Sequence, residues 1–434
     1  MRIRFGLISL GLILLAACVV PPDVGLPTVG PSTPGGPPTA TLPPPLETLV
    51  VCLRNEPESL YLYADASPEA NAILEAVYDG PVDSRGYSFQ PVILEKLPSL
   101  ADGDARIESV AVREGDIYFN PETLQPDNLS LGAEYWPAGC ASEACAESFG
   151  GGRVRMEQIV AEFRLLPEVR WSDGQPVLAS DSVFSFNLDA DPETPSTKFL
   201  VDRTYAYEAV DERTVRWTGV PGLRDGLYAS SFWMPLPEHV LRGIAPADMA
   251  AAEAAARMPL GWGAYRIEQW RPASEVTLSA NPEYFRAGEG LPKFERLIFR
   301  FLGDEAASGL EQLRTEECDV LDESVLEAIP LAAVVSAAQA GELAFSSAAG
   351  PTEWLGFRLG PSPDGAASLL ADSRTRRGLA QCLDRPGMIA EFTAGLSPLP
   401  STYLPPDHPD FVAPADPIDY DPEAGRALLE EAGW

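Results

Sequence analysis

Residues 19–45 contain ten prolines and four glycines in 27 positions, and this composition decides where a folded body can lie. Proline donates no backbone hydrogen bond, and glycine is costly to order, so neither a helix nor a sheet is favoured there. The stretch is predicted to be an extended, polyproline-like tether without a core. Folding is thereby confined to residues 46–434, and these 389 residues suffice for two domains and most of a third.

The N-terminus has the layout of a secretory signal. Arg2 and Arg4 precede an apolar run, Phe5 to Ala17, that is too short to span a bilayer stably. The run ends in Leu15-Ala16-Ala17-Cys18, which resembles the lipobox of bacterial lipoproteins. That resemblance implies removal of residues 1–17 and a lipid on Cys18. The alternative is an ordinary signal peptide with a chance cysteine.

The charge of the chain is strongly negative. It has 31 basic and 64 acidic residues, which gives a net charge of −33. Such a surface repels phosphate backbones and anionic lipid, so no nucleic-acid partner is expected, and membrane contact is expected through the lipid alone. With only two histidines, His239 and His408, a histidine-rich zinc site is disfavoured, and no metal or cofactor is predicted.

Common motifs of catalytic and nucleotide-binding sites are missing from the sequence. There is no GxSxG elbow, no HExxH and no GxxxxGK[ST]. Carboxylate pairs are weak evidence for glycosidase chemistry in a chain with 64 acidic residues. We therefore predict that the protein is not an enzyme. A secreted, surface-anchored hydrolase is the alternative.

Five cysteines follow Cys18, and an exported protein can keep them oxidised. Cys140 and Cys145 lie in a loop-like stretch and could close a small ring. Cys318 and Cys382 are the second candidate pair, which leaves Cys52 as the odd thiol. Free buried thiols are the alternative.

The body is predicted to be mixed α/β. Ser67 and Pro68 open a helix, and residues 265–279 contain a strand pair around Pro272. Strands and helices interleave after residue 290, which favours an α/β lobe there. Several aromatic residues lie near turns or strand ends, where they could line a ligand cleft, although core packing is the alternative. The ligand-binding candidates are Tyr61, Tyr63, Trp233, Trp262 and Trp354, and Trp270 has a similar position.

Seven short motifs, in order, resemble those of the extracytoplasmic solute-binding proteins of family 5, the peptide- and nickel-type binding proteins of ABC importers. The most distinctive is Trp171-Ser172-Asp173-Gly174, which follows a strand and precedes a helix. Trp262 and Ala264 depart from the family pattern, which has a small residue and a proline at these positions. The other motifs lie at residues 208–215, 236–241, 259–265, 281–285, 374–385 and 420–434.

The resemblance implies a two-lobe periplasmic-binding-protein-like fold with an extra inserted domain. The implied boundaries are the signal peptide at 1–17, the lipid anchor and tether at 18–45, lobe I at 46–62 and 230–297, the inserted domain at 63–229, and lobe II at 298–434. In the family, the second lobe continues beyond the motif that ends here at Gly433. We therefore expect lobe II to be incomplete.

The same resemblance implies a function. The lobes would close over a small solute and present it to an ABC permease in the membrane. Oligopeptides are the favoured solute, with sugars, opines and nickel complexes as alternatives; scarce histidine argues against direct nickel ligation. The protein is expected to be a monomer, exported and lipid-anchored to the outer face of the cytoplasmic membrane.

Overall fold

The computed structural model describes residues 47–140, 143–346, 356–360, 368–406 and 408–434. The strands are β1 (Thr48–Leu53), β2 (Val82–Arg85), β3 (Ser88–Pro91), β4 (Ala105–Arg113), β5 (Ile117–Asn120), β6 (Gln125–Asn128), β7 (Glu134–Tyr135), β8 (Glu147–Ser148), β9 (Arg153–Arg164), β10 (Thr204–Ala209), β11 (Thr214–Gly219), β12 (Tyr265–Arg271), β13 (Glu275–Ala280), β14 (Arg296–Phe301) and β15 (Val320–Leu321). The helices are α1 (Pro68–Val77), α2 (Ala179–Ala190), α3 (Phe199–Asp202), α4 (Glu238–Leu241), α5 (Glu253–Ala256), α6 (Gly309–Arg314), α7 (Glu323–Leu326), α8 (Leu331–Gln339), α9 (Ser373–Cys382), α10 (Arg385–Phe392) and α11 (Pro422–Glu431).

β1 belongs to a five-stranded sheet with the order β12-β13-β14-β1-β15. It pairs in parallel with β14, from Thr48 opposite Arg296 to Leu53 opposite Phe301, and in parallel with β15 on its other side. β12 and β13 form an antiparallel hairpin that pairs with β14. The predicted strand pair at 265–279 is thus confirmed, and β12 runs in the same direction as β14.

The two faces of β1 are buried against different parts of the chain. Leu49, Val51 and Leu53 face the main hydrophobic core, whereas Val50 and Cys52 face a second core formed with α6, α7 and α8. A strand that is buried on both faces requires a continuous apolar sequence, because alternate side chains point to opposite sides. The sequence Leu49-Val50-Val51-Cys52-Leu53 meets that requirement.

A second sheet has the order β10-β11-β9-β4 and is antiparallel throughout. It lies within the range predicted for the inserted domain. Phe163 on β9 and Trp217 on β11 share the main hydrophobic core with Leu53 and Leu278 of the five-stranded sheet. One apolar core therefore joins the two sheets.

Helix α1 begins where the sequence predicted. The Ser67 hydroxyl accepts a hydrogen bond from Ala70 N, and Pro68 occupies the first turn. At its other end the helix meets the Gly261-Trp262-Gly263 turn, where Gly263 N donates to Val77 O at 2.7 Å. A Cβ on Gly261 would lie 2.0 Å from Val77 O, so this approach requires glycine.

The structure joins Cys140 to Cys145, the pair that the loop sequence suggested. The other predicted pair, Cys318 with Cys382, is wrong: Cys318 is bonded to Cys52, and Cys382 is an exposed free thiol. The physical reason is the parallel pairing of β1 with β15, which brings two residues 266 positions apart side by side in the second core.

The predicted start of lobe II at residue 298 is a boundary that stays a prediction. It lies inside β14, whose six residues pair without interruption with β1. The sheet then continues to β15, and side chains from Leu302 to Leu343 pack in the second core. This first unit of sheet and helices therefore extends well past residue 298.

The disulfides provide a stability test. Replacing Cys52 and Cys318 by alanine should lower the free energy of unfolding by about 2–5 kcal/mol, because a long chain loop is released in the unfolded state. The Cys140→Ala/Cys145→Ala variant, which opens a ring between residues only 5 apart in sequence, should lose less. Denaturant unfolding measures both.

Cys382→Ala serves as the control and should unfold like the parent protein. A destabilised Cys382→Ala variant combined with an unaffected Cys318→Ala variant would contradict the observed pairing.

Candidate functional site

Four strands of the five-stranded sheet have their C-terminal ends on the same side of the sheet. β1, β14 and β15 are parallel and β12 runs in the same direction, so all four end there. In open α/β sheets, ligands bind in the crevice outside the carboxyl ends of the strands. We call this the carboxyl edge and take it as the candidate site.

Glu56, three residues after the end of β1, ties together three segments at the carboxyl edge. Its Oε1 accepts hydrogen bonds from Trp270 Nε1 at 2.6 Å and from Arg257 Nη1 at 3.0 Å. Its Oε2 accepts from Ala273 N, in the β12–β13 turn, at 2.8 Å. A single carboxylate thus fixes the chain after β1, the chain after α5 and the end of the hairpin.

These donors set the protonation state of Glu56. Partial burial alone would raise its pKa, but the hydrogen bonds from Ala273, Trp270 and Arg257, together with the Arg257 charge, outweigh burial and lower the pKa below 4.5. Glu56 is therefore ionised at neutral pH, and it balances the Arg257 guanidinium.

A groove of about 460 Å³ opens beside this cluster. The Arg257 guanidinium lies over the Trp270 indole at 4.2 Å from the ring centre, in cation–π geometry. We call the cavity the Trp270 groove. Its volume is within the range of small-molecule sites. It is lined by Glu253, Arg257, Met258, Glu268, Gln269, Trp270 and Pro272.

The other end of the carboxyl edge is also built from the chain that leaves β1. Arg54 N donates to Ser324 Oγ at 3.1 Å, and the Arg54 side chain pairs with Glu327 at 3.6 Å. Asn55 donates through its backbone and its amide to Oε1 of Glu69, a buried residue at the start of α1. Residues 54–56 are therefore held by partners on both sides of β1.

Two of the predicted ligand-binding tryptophans lie in the core. Trp262 is fully buried against Tyr78 and donates from Nε1 to Asp79 O at 2.9 Å. Trp233 is buried between Phe186 and Tyr207. Its Nε1 hydrogen-bonds to Asp189. Both indoles are therefore enclosed by the chain itself. Trp262, which departs from the family pattern, fills core volume.

The predicted tyrosines are neighbours, with their ring centres 5.6 Å apart. Tyr61 is buried, and its hydroxyl and that of Thr194 make no hydrogen bond of standard geometry among the described residues. Burial raises the pKa of Tyr61 to about 12, although the nearby Thr194 hydroxyl acts in the opposite direction. The Tyr63 hydroxyl is 2.7 Å from Ser185 Oγ, and burial raises its pKa as well.

Trp354 and Cys18 lie outside the described residues, so the structure places neither of them. Among the predicted aromatic residues near turns, Trp270 is the one found in the groove. Glu56 and Arg257 were missed. The signal for Glu56 was its position three residues after an apolar strand. No sequence signal pairs Glu56 with Arg257, which is 201 positions away.

The distinctive motif residues converge on one hydrogen-bond network. The Asp181 carboxylate, near the start of α2, accepts from Leu178 N, Trp171 Nε1 and Glu238 N at 2.8–3.2 Å. His239 Nε2 lies 2.9 Å from Asp173 Oδ2. Burial raises the pKa of Asp181, although these donors act against that rise. The motifs at 171–174 and 236–241 therefore fold against each other.

Comparison with known proteins agrees with these motifs. The family model for bacterial extracellular solute-binding proteins, family 5 (middle part), matches residues 146–434. The chain belongs to this family of solute-binding proteins. The family consists of binding components of ABC transporters, not of enzymes.

Two relatives are similar to this chain in sequence. A Brucella ovis protein with the provisional name ABC transporter peptide-binding protein is 27% identical over 299 residues, which cover 67% of this chain and 51% of the relative. The oligopeptide-binding protein AppA of Bacillus subtilis is 22% identical over 357 residues, 80% of this chain and 58% of AppA. The chain thus spans about half the length of these curated relatives.

Solved structures of two binding proteins have the same fold. The AppA structure, in complex with a nonapeptide, has a TM-score of 0.54 at 16% identity and covers 90% of this chain and 65% of AppA. The substrate-binding protein CtaP of Listeria monocytogenes has a TM-score of 0.57 at 17% identity, with coverage of 90% and 66%. The predicted α/β periplasmic-binding-protein-like fold is therefore confirmed.

Two absences hold for the part of the chain that the structure describes. No helix there is long and apolar enough to cross a membrane. No group of three or more histidine, cysteine, aspartate or glutamate side chains in that part could hold a metal ion.

The pKa of Glu56 predicts a pH-dependent contribution to stability. Because the folded-state pKa is lowered, the contribution is complete above about pH 4.5 and is lost as the pH falls through the folded value. Glu56→Gln should lower the free energy of unfolding at pH 7 by about 1–3 kcal/mol, since its amide nitrogen faces donors. That deficit should shrink in acid.

Thermal unfolding between pH 3 and pH 7 measures the Glu56 effect. Glu114→Gln, an exposed change in the turn after β4, is the charge-matched control and should keep the parent pH profile. Parallel profiles for Glu56→Gln and the parent protein would contradict the assigned role of Glu56.

Proposed function

We propose that this protein is the substrate-binding component of an ABC importer, and that it captures a small solute at the carboxyl edge. The observation that carries the proposal is the family match over residues 146–434. The geometry supports it, since the carboxyl edge presents a groove with an aromatic wall and fixed polar groups.

Oligopeptides are the solute that we favour. AppA is named as an oligopeptide-binding protein, and its structure contains a nonapeptide. A peptide offers backbone donors and acceptors together with side chains, which suits a groove that has fixed polar groups and an aromatic wall. Delivery to a membrane permease belongs to the same proposal and rests on the ABC transporter names of the relatives.

The aromatic candidates divide into two proposed roles. Tyr61, Trp233 and Trp262 are almost wholly enclosed, so we propose that they support the site through packing. Tyr63 is half-buried and hydrogen-bonded to Ser185, and it stays a candidate for ligand contact, as does Trp354. Trp270 is the aromatic side chain proposed to touch the solute directly.

The location of the protein is proposed from the N-terminal sequence. Residues 1–17 would direct export, Cys18 would carry the lipid, and the proline-rich stretch to residue 45 would hold the folded body away from the membrane. A monomer on the outer face of the cytoplasmic membrane fits capture of external solutes.

Peptide binding is tested by native mass spectrometry of the protein with a mixed pentapeptide library, followed by calorimetry of each peptide retained. Trp270→Ala should weaken the selected peptide about tenfold or more, because a large contact surface at the centre of the site is lost. Bound peptide should also raise the melting temperature of the parent protein.

Tyr205→Ala removes an exposed aromatic side chain from the other sheet and should leave the affinity unchanged. Failure of the whole library to bind, together with capture of a sugar or a metal chelate, would overturn the peptide assignment. Equal losses in the two variants would remove Trp270 from the site.

A further inference from the structure

The Trp270 groove has an uneven distribution of charge. Among the described residues that line it, the one cationic side chain is Arg257, which pairs with Glu56 at 3.0 Å and lies over the Trp270 ring at 4.2 Å from the ring centre. The guanidinium is therefore part of the wall, and its positive charge is balanced before any ligand arrives.

The remaining charged groups that line the groove are two carboxylates. Glu253 is exposed at the start of α5, and no cationic side chain among the described residues lies within 4 Å of its carboxylate. Glu268 is exposed on β12, and its contact with Arg296, at 3.8 Å between two exposed side chains, is weak. The groove therefore has a net negative potential within a strongly acidic chain.

Apart from these carboxylates, Arg257 and Gln269, the residues that line the groove are apolar or amphipathic. Met258 and Pro272 line the groove together with the Trp270 indole. Such a surface suits the methylene stem of a long side chain, because lysine and arginine bury their stems along apolar surface while the charged end stays hydrated. The carboxylates would then meet the ammonium or guanidinium end.

We infer that the Trp270 groove selects peptides with a positively charged side chain, which lies along Met258 and Trp270 with its charge between Glu253 and Glu268. This inference rests on the proposed peptide-binding function and deepens it. It assigns the groove a specificity that an uncharged aromatic cleft would lack.

The experiment compares two peptides that differ in one group. Ala-Ala-Lys-Ala-Ala and its partner with norleucine in place of lysine are titrated into the full chain by calorimetry at low ionic strength. The lysine peptide should bind about tenfold more tightly, with each exposed carboxylate contributing about two- to fivefold. The preference should shrink at high salt, because exposed charges are screened.

Variants locate the source of this preference. Glu253→Gln and Glu268→Gln should each reduce it, and the double variant should abolish it while leaving the norleucine peptide unaffected. Glu114→Gln makes the same change in net charge at a distant turn and should keep the full preference. Thermal melting verifies that each variant is folded.

The outcomes separate the inference from the proposed function. Equal binding of both peptides by the parent protein would overturn the inference and leave peptide binding intact. A preference that survives the double variant, or that Glu114→Gln reduces equally, would also overturn it. Binding of neither peptide, nor of any other peptide, would count against the proposed function, and the inference would fall with it.

Discussion

The parallel pairing of β1 with both β14 and β15 is the interaction on which the rest of this structure depends. It joins residues near the start of the folded body to partners about 250 and 270 positions later. Such long-range pairing is entropically costly and is offset by burial of β1 on both faces. The Cys52–Cys318 disulfide then locks β1 to the chain before β15.

The same pairing creates the candidate site. Since parallel strands end at a common edge, the chain that leaves β1 meets the end of the β12–β13 hairpin and the segment after α5. Glu56 accepts hydrogen bonds from donors in both of these segments. Its negative charge also balances the positive charge of Arg257, which lines the groove. Specificity in the groove can then come from the two exposed carboxylates, which have no such strong partner.

Local sequence signals predicted local features well. Ser67 and Pro68 marked the start of α1, the pattern at 265–279 marked the hairpin, and the motifs identified the family. Features that depend on distant residues were harder to predict. The cysteine pairing was wrong in its second bridge, because that bridge depends on which strand lies beside β1.

The sequence by itself determined the family, the apolar continuity of β1 and the surplus of acidic residues. Only the tertiary structure decided that Trp262 fills the core while Trp270 faces a groove, and that Glu56 rather than another of 64 acidic residues holds Arg257. The physical reason is that burial and hydrogen bonding depend on the distances between residues in the folded chain. Those distances arise only once strands far apart in the chain have paired.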